Sequence, residues 1–333
     1  MSDFLNITPA PCCGPEDDCA PAADPVNRDA VRDYYAAAAE APQEQLCCPT
    51  KYSPVDVDHI PEEVLAISYG CGSPIGVARP LPGQTVVDLG SGGGIDCFIA
   101  TRHVDPEGRV IGVDMTDEML AKARANADKV HANLGYAVTD FRKGFLEQVP
   151  VGDAEVDLVT SNCVLNLSPD KAKVFGEIHR VLRHGGRFVI SDIVAERPVP
   201  LEMARDKELW GECISGAVTE REFVALAEEA GFHGITLERE YTWQEVGGIK
   251  FYSTLFSGHR FDKNPTCDYR GHAATYLGPG RVFHDDDGHA YTRGDLVEVC
   301  SDTAQKLAAA PYAGMFVVTG PGTGGQQASG GCC

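Results

Sequence analysis

The sequence predicts an α/β fold in which helices cover a parallel sheet, followed by a smaller β-rich region. Between residues 85 and 192, short apolar runs alternate with amphipathic segments, which is the pattern of such a sheet. From about residue 250, short aromatic and β-branched runs are separated by turns, which favours strands. A chain of 333 residues is long enough for two unequal domains.

Five strands are expected in the first region, at residues 85–89, 109–114, near 141, 156–160 and 188–192. Thr116 is in position to cap the helix after the second strand. The clearest helix follows the fourth strand. Ser168 is predicted to cap it, and Gly185 with Gly186 is predicted to end it.

Composition divides the chain into four parts. Residues 1–33 are rich in Pro, Ala and Asp, and residues 320–333 are rich in Gly, so both ends are expected to be flexible. We expect a main domain over residues 34–250 and a β-rich C-terminal domain over residues 251–319. The candidate site residues fall in the main domain.

Charge and hydropathy exclude some kinds of partner. Lys and Arg total 28 against 49 Asp and Glu, for a net charge of −21, which opposes binding to nucleic acid. The N-terminus lacks the basic and apolar regions of a signal peptide, and no apolar run of about 18 residues occurs. We therefore expect a cytoplasmic protein with no membrane partner.

The thirteen cysteines indicate reduced thiols rather than a disulfide scaffold, because no export signal accompanies them. No Cys-x-x-Cys spacing occurs, so zinc-ribbon and thioredoxin-like motifs are absent. Three pairs are adjacent in the sequence, which suits the binding of one soft ion better than an unstrained disulfide. These pairs are Cys12 with Cys13, Cys47 with Cys48, and Cys332 with Cys333.

A glycine-rich turn follows the first predicted strand and precedes a helix. Gly90 and Gly92 allow a ligand to approach the backbone closely at the helix N-terminus. Asp114 ends the next strand, where a carboxylate can bind both hydroxyls of a ribose. Together these features predict a ligand that contains adenosine.

The residues around the turn favour S-adenosylmethionine over a dinucleotide. Ile95 occupies the position where a dinucleotide site needs a small residue. Asp88 would repel a pyrophosphate but suits an ammonium group. Met115 and Phe145 are candidate contacts for adenine, or else core residues. Tyr69 and Asn162 are candidates either for contact with the cofactor or for a structural role. The amino-acid tail of the cofactor would lie over the backbone of Gly90 to Gly92.

Three cysteine-bearing segments carry a resemblance to a known family. They are Tyr69-Gly70-Cys71-Gly72, Ser161-Asn162-Cys163-Val164-Leu165-Asn166-Leu167 and Leu209-Trp210-Gly211-Glu212-Cys213. With the glycine turn, they make the chain similar to the arsenite methyltransferases, from about Val31 to the final Cys332-Cys333. The resemblance implies the Rossmann-like sheet of class I S-adenosylmethionine-dependent methyltransferases, with helices on both faces.

The resemblance also implies a site and a reaction. Cys71, Cys163 and Cys213 would hold trivalent arsenic, and the arsenic lone pair would attack the methyl group of S-adenosylmethionine. Cys47 or Cys48 would be a fourth thiol that shuttles substrate or forms a disulfide with Cys71. Arsenite and methylarsenite would be the substrates, with thioredoxin or glutathione as the thiol reductant, in arsenic detoxification.

Two other functions remain open from the residues alone. The first is methylation of carbon or oxygen in a small organic molecule, with the three cysteines as core residues. The second is sequestration of a metalloid by thiols without chemistry, which would leave the cofactor motif unexplained. His284 and His289 flank an acidic turn, which is predicted to be a solvated hairpin tip rather than a metal site.

Overall fold

A computed structural model of the chain describes residues 32, 35–36, 52–65, 70–206, 209–210 and 213–321. Its centre is a seven-stranded sheet in the order β3-β2-β1-β4-β5-β7-β6. The strands are β1 (Thr85–Leu89), β2 (Arg109–Asp114), β3 (Thr139–Lys143), β4 (Val156–Asn162), β5 (Leu182–Ala195), β6 (Phe232–Val246) and β7 (Ile249–Arg260). The first five are parallel, as predicted, and β7 pairs antiparallel with both β5 and β6.

Helices cover both faces of this sheet. Successive strand residues enter different cores, with Val87 in one apolar cluster and Val86 in the other, because side chains alternate across a strand. The flanking helices include α1 (Pro54–Val57), α2 (Glu62–Leu65), α3 (Pro74–Ala78), α4 (Ile95–Val104), α5 (Asp117–Leu134), α6 (Lys171–Val181), α7 (Leu201–Ala204) and α8 (Glu220–Glu229). Within the described residues, no helix is long and apolar enough to span a membrane.

The C-terminal region is β-rich, as expected. It contains β8 (His272–Tyr276), β9 (Val282–His284), β10 (Ala290–Thr292), β11 (Leu296–Val299), α9 (Ser301–Ala308) and β12 (Phe316–Thr319). β8 is the central strand of a three-stranded antiparallel sheet, and β9 pairs with β10. The boundary expected at residue 250 falls at the start of β7, which belongs to the large sheet. We therefore propose that the second domain begins after Arg260.

Two local predictions in the first domain were wrong. Ser168 does not cap α6, because its hydroxyl donates to Glu147 Oε1 at 2.6 Å. Asp170 is the cap, and its carboxylate accepts from the backbone N–H of Lys173 at 3.0 Å. The helix ends at Val181, so the predicted glycine stop lies within β5 instead.

The acidic turn of the C-terminal region also differs from its prediction as a solvated tip. Asp285 is buried, and its carboxylate bonds to His289 Nδ1 at 2.8 Å and to the hydroxyl of Tyr291 at 3.2 Å. Asp287 accepts from Lys306 at 2.7 Å, and that lysine is only 1% exposed. The turn is therefore a packed, charge-paired part of the domain.

Candidate active site

The glycine turn after β1 adopts the backbone conformation that the sequence predicts. Gly90 and Gly92 have φ angles of 72° and 49°, in the left-handed region that favours glycine. A Cβ at Gly90 would lie 2.4 Å from Val164 Cγ2, whereas one at Gly92 would meet no described atom within 4 Å. The turn therefore packs closely on one side and borders open space on the other.

Asp114 ends β2 beside this turn. Its carboxylate accepts from the backbone N–H of Gly92 at 2.9 Å and of Thr116 at 2.8 Å. Burial raises the pKa of Asp114. Thr116 is at the N-cap position of α5, but its hydroxyl makes no capping bond. Asp114 is thus held at the carboxyl edge of the sheet, where ligands of open α/β folds bind.

The carboxylate of Asp88 is hydrogen-bonded to other side chains of the protein in this structure. Its carboxylate accepts from the hydroxyl of Thr160 at 2.8 Å and from the thiol of Cys97 at 3.6 Å. Burial, and then the charge of Asp96, raise its pKa well above the usual value. Cys97 is buried. The contact between Asp88 and an ammonium group stays a prediction.

Asp96 and Ser91 were not identified from the sequence. Asp96 lies in the first turn of α4, and burial raises its pKa to about 6. Among the described residues, neither Asp96 Oδ1 nor Ser91 Oγ has a hydrogen-bond partner, although both atoms are buried. Unpartnered buried polar atoms are uncommon, and these two fit a polar ligand that carries an ammonium group. Their positions next to the glycines of the turn were the sequence signal that could have identified them.

The two candidate adenine contacts differ in their surroundings. Met115 packs against the apolar cluster that contains the cysteines described below. Phe145 is 41% exposed, and it follows Gly144, whose N–H donates to the carbonyl of Asp114 at 3.0 Å. Both therefore lie near the end of β2, as their predicted role requires. Tyr69 lies outside the described residues.

Asn162, at the end of β4, holds the segment around Cys71. Its Oδ1 accepts from the N–H of Cys71 at 3.0 Å, and its Nδ2 donates to the carbonyl of Gly72 at 2.8 Å. The same Nδ2 lies 3.1 Å from Asp96 Oδ2. Both ends of its amide thus bond to protein groups in this structure, so Asn162 positions Cys71, and contact with a cofactor stays a prediction.

Three cysteines that are far apart in the sequence lie together at this edge. Cys71 and Cys163 form a disulfide, with their Cα atoms 5.9 Å apart. The thiol of Cys213 donates to the carbonyl of Cys163 at 3.1 Å. The sulfur atoms of Cys163 and Cys213 and a carboxylate oxygen of Asp192 all lie within 4.8 Å of one another. The disulfide partner of Cys71 is Cys163 here, rather than the implied Cys47 or Cys48, which lie outside the described residues.

The backbone at two of these cysteines is unusual. Cys163 and Cys213 have φ angles of 56° and 62°, which residues other than glycine rarely adopt. The N–H of Cys163 donates to the carbonyl of Ser191 at 2.8 Å, and that of Cys213 to Trp210 at 3.0 Å. Such conformations cost free energy and persist where surrounding contacts fix them, often at functional sites.

Asp192 and Asn166 fix the loop that carries Cys163, and neither role was predicted from the sequence. Asp192 Oδ2 accepts from the N–H groups of Leu165 and Asn166 at 2.9 and 3.3 Å. Asn166 Nδ2 donates to Asp192 Oδ1 at 2.8 Å and lies 3.3 Å from the carbonyl of Cys213. Burial raises the pKa of Asp192 to about 6. Through the hydrogen bonds of Asn166, the loop that carries Cys163 is connected to the loop that carries Cys213.

The β6–β7 hairpin supports Cys71 from the other side. Its carbonyl accepts from the hydroxyls of Tyr241 at 2.9 Å and Ser253 at 2.6 Å. Ser191 Oγ lies 3.7 Å from its sulfur. These partners are up to 182 residues away in the sequence, so no local motif pointed to them.

An apolar cluster surrounds the three cysteines. Both tryptophans of the sequence, Trp210 and Trp243, pack in it, together with Met115 and Met203. Aromatic and thioether groups exclude water from the sulfur atoms, which strengthens electrostatic interactions there. Three cysteine sulfurs beside the glycine turn suit, once reduced, the transfer of a group to a soft, thiol-bound atom.

Comparison with known proteins agrees with this geometry. Residues 81–231 match the family model described as a methyltransferase domain, and residues 263–331 match a domain of unknown function. An arsenite methyltransferase of Aquipseudomonas alcaligenes is 33% identical over 88% of this chain and 90% of its own length. This chain belongs to the arsenite methyltransferase family.

Other members of the arsenite methyltransferase family give the same result. The human arsenite methyltransferase is 32% identical over 79% of this chain and 73% of its own length. The Halobacterium salinarum protein of that name is 46% identical, but the match spans 51% of this chain and only 43% of that protein. A crystal structure of an arsenic(III) S-adenosylmethionine methyltransferase from Chlamydomonas reinhardtii aligns with a TM-score of 0.61 and 31% identity, over 82% of this chain and 97% of that one.

Proposed function

We propose that this protein transfers the methyl group of S-adenosylmethionine to trivalent arsenic held by Cys71, Cys163 and Cys213. The observation that carries the proposal is the meeting of these three sulfurs beside the glycine turn. Arsenite and methylarsenite are the proposed substrates, as the names of the relatives suggest. The physiological role would be arsenic detoxification in the cytoplasm.

Several residues fit the cofactor. Asp114 would bind the ribose hydroxyls, and the backbone of Gly90 to Gly92 would face the amino-acid tail. Asp96, with an unpartnered buried oxygen, suits the ammonium group, and Asp88 lies behind it. Met115 and Phe145 would flank the adenine. When bound, the cofactor supplies a methyl group on a positively charged sulfur.

The three cysteines would act as ligands and not as bases. Each thiol replaces one hydroxyl of arsenite, so three As–S bonds form and three water molecules leave. Thiolates are the preferred ligands of a soft centre such as arsenic(III). The remaining lone pair of arsenic is the nucleophile, so the transfer depends on proximity and alignment. The apolar cluster with Trp210 and Trp243 excludes water.

A reductant is required by the disulfide between Cys71 and Cys163. Reduction supplies two electrons and two protons and yields the two thiols that arsenic needs. Thioredoxin or glutathione is the proposed reductant, through thiol–disulfide exchange. Cys47 or Cys48 would take part as the fourth thiol. Exchange requires access to the buried site, which a neighbouring thiol of the same chain would provide.

The test is a transfer assay with a methyl-labelled donor, arsenite and a thiol reductant. We expect label on arsenic with the wild type and none with Cys213→Ser, which keeps the cofactor residues intact. Binding of S-adenosylmethionine by the variant is the control for folding. Label on an organic acceptor, or arsenite binding without any transfer at saturating donor, would contradict the proposal and support one of the two alternatives from the sequence.

A further inference from the structure

The C-terminal region contains a pair of thiols, Cys267 and Cys300, away from the candidate active site. Both line one cavity of about 20 Å³, which has room for a group of about the size of one water molecule. Cys300 is buried and Cys267 is half-buried, and neither is in a disulfide. The cavity is thus a small space that is lined by two thiol-bearing side chains.

Hydrogen bonds hold the two cysteine segments together at two points. Ser301, which follows one cysteine, donates its N–H and hydroxyl to the carbonyl of Asp268, which follows the other, at 2.8 and 2.9 Å. Asn264 donates its N–H and its Nδ2 to the two carboxylate oxygens of Asp302, both at 2.6 Å. The thiols therefore share their cavity on a fixed backbone, as a preformed site requires.

The helix α9 fixes the position of one of the two thiols. Cys300 is its N-cap, and its sulfur accepts from the N–H of Thr303 at 3.5 Å and lies 3.2 Å from the hydroxyl of Thr303. These contacts fix the sulfur of Cys300 at the start of the helix, where it lines the cavity.

The charges around the cavity limit what it can bind. Lys263 and Lys306 line it together with Asp287 and Asp302, so the side-chain charges balance. Asp287 accepts from both lysines, and Asp302 is bonded to Asn264. These carboxylates are therefore already paired, and the two sulfurs are the ligands on offer. Two sulfurs are too few for a metal ion such as zinc, which needs four ligands.

We propose that Cys267 and Cys300 bind trivalent arsenic that already carries one methyl group. The proposal rests on the proposed function, because this ligand follows from a first methylation. Attack of the arsenic lone pair on the methyl group gives pentavalent arsenic, and two active-site cysteine sulfurs return it to the trivalent state by leaving as a disulfide while water supplies the hydroxyls. Methylarsonous acid, CH₃As(OH)₂, has two exchangeable hydroxyls. Two As–S bonds form, two As–O bonds break, and the two thiol protons leave with the hydroxyls as water. Arsenic stays trivalent, and the bound group is uncharged.

The number of exchangeable hydroxyls distinguishes the two sites. Arsenite has three and matches the three cysteines of the active site, whereas the monomethylated form has two and matches this pair. A site for the product beside the catalytic domain would retain it between methylation steps. The domain that the family model describes only as of unknown function would then have a binding role.

The experiment measures alkylation of Cys267 in the reduced, full-length protein by iodoacetamide, with peptide mass spectrometry as the readout. We expect methylarsonous acid to slow labelling at this site at least about tenfold, because a thiol bound to arsenic is not a free nucleophile. In Cys300→Ser the arsenical can form only one As–S bond at Cys267, so the same protection should require at least about tenfold more methylarsonous acid than in the wild type. Serine is a good N-cap, so this variant should keep α9 folded.

Two further arms keep the result interpretable. Cys213→Ser removes a thiol of the active site, so protection of Cys267 should persist in it, whether or not the protein methylates arsenite. Dimethylarsinous acid has one exchangeable hydroxyl and should give protection that does not depend on Cys300. Unchanged labelling of Cys267 in the wild type, or equal protection by methylarsonous acid in Cys300→Ser, would overturn the proposal.

Discussion

Glycines on each side of Cys71 let other side chains approach its backbone. A Cβ at Gly70 would lie 2.5 Å from Asn162 Nδ2, and one at Gly72 would lie 2.2 Å from Ser191 Oγ and 2.5 Å from Glu240 Oε2. The sequence motif therefore has a steric reason. The sequence predicted Cys71 itself through resemblance, but its supporting residues come from strands far along the chain.

Gly72→Ala tests this steric role directly. The added methyl group must displace Ser191 and Glu240 or shift the backbone next to Cys71, and overpacking of this kind costs about 1–3 kcal/mol. We expect arsenite to bind about tenfold more weakly, or worse, to the reduced variant. Trp210 and Trp243 pack around the cysteines, so quenching of tryptophan fluorescence reports binding. Wild-type affinity in a folded Gly72→Ala protein would refute the steric account.

At the scale of elements, helix periodicity was a reliable guide and helix boundaries were not. Val174, Ile178 and Val181 are buried along one face of α6, as helical spacing of apolar residues requires. Its cap was misassigned because Ser168 bonds to Glu147, which is 21 residues earlier. The same limit applies to β7, whose place in the large sheet depends on pairing with β5. Contacts between distant segments decide such boundaries.

Gly176→Ala is a prediction about α6 alone. Gly176 is exposed within the helix, and a Cβ there would meet no described atom within 4 Å. Alanine should therefore raise the free energy of unfolding by about 1 kcal/mol, since glycine is the poorer helix former. Urea denaturation measures the change. A loss of stability would mean that this face of α6 is in contact with another part of the chain.

For the whole molecule, the contact between the two domains is expected to depend on pH. His233 on β6 stacks with Tyr312 of the C-terminal region, and their ring centroids are 5.9 Å apart. Burial, then Lys306 and His259, lower the pKa of His233 to about 4, although Asp286 and Asp287 act in the opposite direction. A neutral His233 is therefore part of the folded state.

The consequence is a loss of stability in acid. Because the folded pKa lies below the ordinary value of 6.5, the contribution of His233 is present above pH 6.5 and is lost as the pH falls towards 4. Relative to His233→Gln, the wild type should lose about 3 kcal/mol of unfolding free energy between pH 7 and pH 4. Comparing the two proteins cancels the opposite effect of buried carboxyl groups such as Asp192, whose pKa is raised to about 6.

His284→Gln is the matched control, because His284 is exposed on β9. The difference in unfolding free energy between the wild type and His284→Gln should be the same at pH 7 and at pH 4. If the difference in unfolding free energy between the wild type and His233→Gln is also the same at pH 7 and pH 4, the neutral form of His233 does not stabilise the folded state.

The arrangement of the sheet explains why spacing alone could not locate the site. Cys71 precedes β1, Cys163 follows β4 and Cys213 follows β5, so only the assembled carboxyl edge brings them together. The glycine turn and Asp114 were predictable because their chemistry is local to one β–α–β unit. The cysteine set came from resemblance to a family, and the roles of Asp192 and Asn166 became visible only in three dimensions.

The most direct measurement of the central claim is X-ray absorption at the arsenic edge, on the reduced protein with one equivalent of arsenite. Three sulfur neighbours and no oxygen are predicted for the wild type. For Cys213→Ser, two sulfurs and one oxygen are predicted. An oxygen neighbour in the wild type, or the same coordination in both proteins, would contradict the claim that these three cysteines hold the arsenic.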